Sequence, residues 1–336
     1  MMSGQFHVSV IVTTFNRPRL LHRCLRALSS QEVGGFTYDI IVVDDCSSPT
    51  NLADARKICA EYENVRFQVN EKNVGLSSSR NNGARNASGD ILLFLDDDII
   101  VEPKYVQGHT DLFYEYENIA TVGSLRFPPE LCAKDNLVRY LSSREMRQRK
   151  LSAEMVKNLA PGQFGGGICG IMKRDYNRIG GFSEEFIHYG LEDVAMGTCL
   201  KRAGITIMLA TAANADHHDR VTMERYKTKT IESARYGLRL LLEKYPDAFE
   251  NKLSKYLLPD SKKDTTKDAV IKLYVRMIFN RITGRAIMAF AQRTNHMPFL
   301  FSKTLLHALF TCWMIEGMKM DERQIIRSSA VEYSEK

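Results

Sequence analysis

Gly89–Val101, GDILLFLDDDIIV, decides the fold. Ile91–Leu95 is a continuous apolar run, the composition of a strand buried on both faces. It stops at three carboxylates, Asp96, Asp97 and Asp98, and apolar residues resume at Ile99, Ile100 and Val101. The flanks pull the acids toward the interior, where close carboxylates repel one another unless a cation lies among them. A hard divalent ion, Mg²⁺ or Mn²⁺, takes oxygen ligands and commonly shares them with substrate phosphates. The alternative is that the triplet only ends a strand and opens a turn.

Upstream, Val8–Val12 predicts a first buried strand running into Thr13-Thr14-Phe15-Asn16-Arg17-Pro18. Pro18 suits the first turn of a helix, and Leu20, Leu21, Cys24, Leu25 and Leu28 recur at helical spacing. Tyr38–Val43 predicts a second strand ending in Asp44 and Asp45, followed by a helix over Leu52–Tyr62 and a third strand at Val65–Val69. Asn73–Ser88 reads as a helix that is polar and small on one side. Alternating strands and helices imply an α/β, mostly parallel sheet with helices on both faces. Ligands of such sheets bind beyond the carboxyl ends of the strands, where Thr13–Asn16, Asp44–Asp45 and Asp96–Asp98 converge. A dinucleotide site is not expected, because no GxGxxG follows the first strand. The spacing recurs at Gly165, Gly167 and Gly170, but Ile168, Cys169 and Ile171 interrupt it, and the MKRDYNRIGG that follows does not read as a helix opening.

The chain has 336 residues, 44% hydrophobic and 26% charged, an ordinary globular composition with room for two domains. Met1–His7 lacks the apolar core of a signal peptide, and no apolar run of about 18 residues suggests a membrane span. Seven scattered cysteines without ligand spacing fit reduced thiols, so a cytoplasmic location is expected. The net charge of +6 is uneven: residues 221–336 hold 21 Lys/Arg and 13 Asp/Glu, or +8, leaving −2 for residues 1–220. A core domain over 1–220 and a helical region over 221–336 are expected.

Four segments in order resemble the GT-A glycosyltransferases of family 2. They are VSVIVTTFNRPRLLHRCLRAL, IIVVDDCSS, NVGLSSSRNNGARNASGDILLFLDDD and GGFSEEFIHYGLEDVAMGTCLKRAG, spread over Val8–His218. The resemblance implies a GT-A sheet of about seven strands with a small antiparallel piece, a nucleotide-diphospho-sugar donor (most often UDP-linked) and a Mn²⁺ or Mg²⁺ ion. By the same resemblance Thr13, Phe15 and Asp45 hold the base, Asp44 supports its turn, and Arg80 lies near base and phosphates. Asn16, Arg17 and Asn73 share those nucleotide-sugar segments. Asp96 and Asp97 approach the ribose, Asp98 binds the metal with Asp96 at its side, and Asp193, after Glu192, is the general base of an inverting transfer.

The residues support that chemistry independently. A leaving diphosphate needs its charge neutralised, and an acceptor hydroxyl needs a positioned base. Glu192 and Asp193 precede an apolar-faced segment, Val194–Arg202, where a helix N-terminus favours the anion; capping that helix is the plainer role. His217 or His218, after the apolar run Ile205–Ala213, is a candidate further ligand, although adjacent histidines also occur on surface turns. Phe127–Phe164, with three prolines and a basic run, reads as a solvated amphipathic helix or as a cover over the site. Gly165–Gly167 beside it would let donor and acceptor approach the backbone.

Ala269–Ile315 contains no Asp or Glu and six Lys/Arg among many Phe, Met, Ile and Leu, with Gly284 and Pro298 expected to split it into helices. Three readings stand: helices packed on the core and on one another, a homo-oligomer interface, or a peripheral contact of residues 269–315 with the inner face of a membrane. Nucleic acid is not expected, since the charge is interleaved with apolar residues. The acceptor would be a hydroxyl of a glycan, a lipid-linked sugar or a small molecule. A catalytically inactive nucleotide-sugar-binding protein and a nucleotidyltransferase are the alternatives; the latter wants a Gly-rich basic loop where TTFNRP stands.

Overall fold

In the computed structural model, residues 5–145, 156–248, 256 and 265–319 are described. The chain divides into two compact units: Met1–Ile187 with Leu191–Arg220, and His188–Gly190 with Val221–Lys336.

The first unit is built on one sheet. Strands β1 (Phe6–Thr14), β2 (Phe36–Asp44), β3 (Val65–Val69) and β4 (Ile91–Asp96) pair in parallel, joined by helices α1 (Pro18–Leu28), α2 (Pro49–Cys59) and α3 (Leu76–Asn86). The three-residue β5 (Ile99–Val101) follows, then α4 (Tyr105–Glu115), β6 (Ile119–Arg126), α5 (Pro129–Lys134), α6 (Asn136–Glu145) and β7 (Ile168–Met172). Helices α7 (Lys173–Ile179) and α8 (Glu192–Arg202) precede the long last strand β8 (Thr206–His217). The eight strands run in the order β3-β2-β1-β4-β7-β6-β8-β5, with β7 antiparallel to both neighbours and β5 antiparallel to β8. The sheet is therefore mixed and mostly parallel, as the sequence predicts, with one more strand than expected.

Hydrophobic burial explains the arrangement. Ile91, Leu92, Leu93, Phe94 and Leu95 are all 1% exposed or less, because a parallel central strand has helices on both faces. Helix α1 starts with Pro18 at its first turn and buries Leu21, Cys24, Leu25 and Leu28 as one stripe. Helix α3 packs through small residues: a Cβ on Gly83 would lie 2.4 Å from Ile11 Cγ2, so only glycine lets the helix sit so close to β1.

Two sequence expectations change here. Lys173–Ile179 is a helix, although MKRDYNRIGG does not read as a helix opening. Gly170 is paired inside β7 with Leu93 and Thr121, so the Gly165, Gly167, Gly170 pattern cannot wrap a phosphate for a different reason from the one the sequence offered. Part of the expected cover over Phe127–Phe164, residues 146–155, lies outside the described residues.

The second unit is helical. It comprises α9 (Met223–Glu232), a π-helical turn at Ser233–Gly237, α10 (Leu238–Lys244), α11 (Thr266–Ile278), α12 (Arg281–Thr294) and α13 (Lys303–Lys319). Thr265 caps α11 in a reciprocal pair with Asp268, and Asn280 caps α12 by accepting from the Ile282 and Thr283 N–H groups. Helix α13 buries Leu306, Leu309, Phe310, Trp313 and Ile315. Gly284 does not break a helix as expected. It lies inside α12, where its missing side chain admits Cys312 of α13 at 3.0 Å from the ideal Cβ position. The break falls instead at Phe279–Asn280, and Pro298 opens a short 3-10 turn. Among the described residues no helix is long and apolar enough to cross a membrane.

Candidate active site

The carboxyl ends of β1, β2 and β4 carry the polar residues singled out from sequence. Two-residue geometry at the end of β4 sorts the acidic triplet. Asp96 closes the strand with its N–H on the Gly167 carbonyl, Asp97 and Asp98 form the turn, and β5 begins at Ile99. Because β5 pairs antiparallel with the end of β8, Ile99 stands opposite His217, and the His218 N–H donates to the Asp98 carbonyl at 2.7 Å. The pairing of β5 with β8 is what delivers the histidine segment to the acids.

Asp98 Oδ1 lies 3.7 Å from His217 Nε2, and Asp98, His217 and Asp219 each offer one ligand atom within 4.8 Å of the others. Two carboxylates and an imidazole fit a hard or borderline divalent ion such as Mn²⁺ or Mg²⁺. Burial raises the Asp98 carboxyl above its ordinary pKa, opposed by His217, which is the strain a bound cation relieves. The neighbours of His217 face elsewhere. His218 points its ring nitrogen at Arg23, 3.2 Å away, and Asp216 takes the Arg126 guanidinium at 2.6 Å. Of the two histidines left open by the sequence, His217 joins the acids and His218 does not. Asp96, expected beside the metal, is outside this group and accepts from Arg80 at 2.9 Å. Asp219 was not singled out; its place two residues after His217, just beyond the strand, was the available signal.

Asp97 is turned inward. It is 3% exposed, accepts from Thr14 Oγ1 at 2.7 Å and from Arg17 Nη1 at 3.2 Å, and burial pushes its pKa up to about 7, with Arg17 opposing. Arg17 Nη1 also donates to Asp98 at 3.0 Å. In this arrangement Asp97 and Arg17 brace the turn, with the Asp97 carboxylate directed to Thr14 and Arg17.

The segments that the resemblance assigns to the nucleotide form a hydrogen-bonded frame. Asp44, fully buried, accepts from the Ser47 N–H and Oγ, both at 2.7 Å, and so holds the turn after β2. Asp45 accepts from Asn70 Nδ2 and from the Val74 and Gly75 N–H groups, each at 2.9 Å, while its carbonyl takes Asn73 Nδ2. Both its carboxylate oxygens thus order the 73–75 loop. Asn16 adopts φ 56° and accepts from the Ser48 N–H, tying the loop after β1 to the one after β2, where Cys46 has φ 66°. Thr13 is buried in register with Val43 and Asp96, and Phe15 is half-buried at the rim.

Arg80 links these parts to the acids that open α8. It is 2% exposed, donates to Asp96 and, at 3.3 Å, to Glu192, and stacks 5.0 Å over Phe182. Its Nε has no protein partner. Gly166 and Gly167 make the room: a Cβ would lie 2.7 Å from Arg80 Nη1 and 2.1 Å from Asp96 Oδ2 respectively. These glycines accommodate side chains of the protein itself. Glu192 and Asp193 open α8, but the capping position belongs to Leu191, at φ 72°. Asp193 accepts from the Val194 N–H at 2.8 Å, and its pKa is pushed up to about 7 by burial and then by Glu192.

A mixed, mostly parallel sheet with acids and a histidine gathered beyond its carboxyl edge defines a GT-A fold. A mannosyltransferase of Pyrobaculum calidifontis, solved with GDP-Man and Mn²⁺, superposes with a TM-score of 0.61 at 16% identity, covering 95% of this chain and 89% of its own. The glycosyl transferase family 2 model matches residues 9–178, and a model described as the N-terminal domain of galactosyltransferase matches residues 147–232. The chain belongs to glycosyl transferase family 2. It is 26% identical over 299 residues to a hyaluronan synthase of Pasteurella multocida, covering 80% of this chain and 30% of that protein. A chondroitin synthase of Escherichia coli is 25% identical over 276 residues, 73% of this chain and 39% of that protein. The chain thus spans about a third of the length of these relatives.

Proposed function

We propose that this protein is an inverting glycosyltransferase that moves a sugar from a nucleotide-diphospho-sugar, a UDP-sugar by preference, to a hydroxyl of a glycan, lipid-linked or small-molecule acceptor. The observation that carries the reading is the meeting of two acid sets at one sheet edge, Asp98 with His217 and Asp219, and Asp96 with Glu192 through the buried Arg80. The transferase is assigned to residues 1–220.

In this scheme the frame built by Asp44, Asp45, Asn16 and Asn73 receives the nucleoside between the loops after β1 and β2, with Thr13 and Phe15 on its wall. Asp98, His217 and Asp219 would hold Mn²⁺ or Mg²⁺, which as a Lewis acid neutralises the diphosphate charge. Arg80, kept cationic by Asp96 and Glu192, adds a positive charge near the leaving group. Asp193 takes the proton from the acceptor hydroxyl as its oxygen forms the new bond at the anomeric carbon and the diphosphate departs with the bonding pair. A single displacement of this kind inverts the anomeric configuration.

Incubation of the full chain with a panel of nucleotide sugars and Mn²⁺, read by nucleotide release and by NMR of the product anomer, tests the reading. Metal-dependent release, lost in Asp98→Ala, is the expected result. Binding of UDP without any turnover would favour a nucleotide-sugar-binding protein, and retention of the donor's anomeric configuration would remove Asp193 from its role.

A further inference from the structure

The second unit contains a helix built the wrong way round for water. On α11, Val270, Leu273, Tyr274, Met277 and Ile278 recur at i, i+3, i+4, i+7 and i+8 and are between 46% and 64% exposed. Two of its charged residues, Asp268 and Lys272, one turn apart on another side, are 8% and 2% exposed, while Lys267 is exposed and Arg276 half-buried. The apolar stripe of an amphipathic helix normally faces a core, and here it faces outward. The outer face of α12 continues the theme, with Ile282 at 80% and Phe290 at 49% exposed beside the exposed Arg285 and Arg293. Phe299, on the turn before α13, is 82% exposed, and Lys303 follows it.

We infer that α11 and the outer face of α12 form a docking surface for an anionic lipid bilayer, lying in the headgroup region with the apolar side chains among the acyl chains. Charge selects this occupant. Ala269–Ile315 carries six Lys/Arg and no carboxylate. Of these, Arg281 already pairs with Glu316 at 3.2 Å and Lys272 is buried, whereas Arg285, Arg293 and Lys303 are exposed, and a second copy meeting the same patch about a two-fold axis would set those cations against their like. An anionic headgroup layer answers the exposed Arg285, Arg293 and Lys303, and the hydrocarbon beneath it takes the apolar row. No described helix is fit to span a bilayer, so the contact lies along the surface. An enzyme held in this way would act on acceptors presented at a membrane face.

Flotation of the full chain with vesicles of phosphatidylcholine alone or mixed with phosphatidylglycerol tests the assignment. Binding is expected only to the anionic vesicles and should weaken with added salt. The double variant Leu273→Glu/Met277→Glu should reduce the bound fraction by about tenfold or more, and Arg285→Ala/Arg293→Ala by on the order of tenfold, given the interaction of each basic residue with anionic lipid. Thermal melting and UDP binding, measured on the same variants, should match the unaltered chain, which separates this surface from the donor site. Equal flotation by the unaltered chain and the glutamate variant, or no flotation at all, would overturn the proposal. So would a shift from dimer to monomer in the glutamate variant on sedimentation, which would make the patch an interface between copies.

Discussion

The two units handle charge and hydrophobicity in opposite ways. In the first, β4 buries its apolar residues and then draws Asp97 and Asp98 inside after them, where Arg17, Thr14 and His217 meet them. In the second, α11 buries Asp268 and Lys272 and leaves its apolar row outside. A buried carboxylate is tolerated only with partners or a cation, and the clustering of Asp98 with His217 and Asp219, unlike the single capping Asp268, points to a site of chemistry. An outward apolar row is tolerated only against another nonpolar surface, so it marks a site of contact.

The contrast can be broken from either side. Asp193→Asn should cost the most, a fall of about 10² to 10⁴ in turnover, the contribution of a general base, with UDP affinity within about twofold of the unaltered chain. Near-normal turnover would place the base elsewhere. Next, Gly83→Ala should destabilise the first unit by about 1–3 kcal/mol in denaturant melts, because the new methyl overlaps Ile11. Glu192→Gln should move the acidic limb of the pH–activity profile to lower pH. The Asp193 carboxyl is held up, to about 7, by burial and then by the Glu192 charge, and transfer needs it deprotonated, so turnover rises with pH through that value and removing the charge lowers it. Stability moves the other way: below 7 the folded state keeps a proton on Asp193 that the unfolded chain has already lost, so that contribution declines as pH climbs from about 4 to 7. The smallest effect sharpens the contrast most. Leu273→Glu in the second unit should change folding stability by no more than about 0.5 kcal/mol, as exposed positions do.

Much of the first unit is legible in the sequence because β1, β2 and β4 carry continuous apolar runs and β3, VRFQV, alternates. Val65–Val69 is found with its limits, and Ile91–Leu95 is extended by one residue. The antiparallel half is not legible. Strand β5 is three residues long and pairs with a segment more than 110 positions away, so no local period announces it. Strand β7, ICGIM, hides among glycines whose purpose is to clear space for Arg80 and Asp96. The candidate site follows the same division. Asp98 and Asp193 come from their sequence context and from the resemblance, and Arg80 from the resemblance alone, while the separate fates of Asp96, Asp97 and His218 depend on which way each residue points. Asp219 enters only through the β5–β8 pairing that brings His217 to Asp98. In the tail, composition announces the basic, apolar stretch but not that α11 wears its hydrophobic side outward.

Leu191 has a consequence for how this sequence can drift. It is one of four non-glycine residues at positive φ among those described, and three of them, with Asn16 and Cys46, flank the candidate site. A β-carbon in that conformation holds back about 1–3 kcal/mol. Glycine at 191 would recover some of that energy and free the hinge on which Glu192 and Asp193 are aimed. If Asp193 is the base proposed above, Leu191→Gly would give a more stable protein and a poorer catalyst.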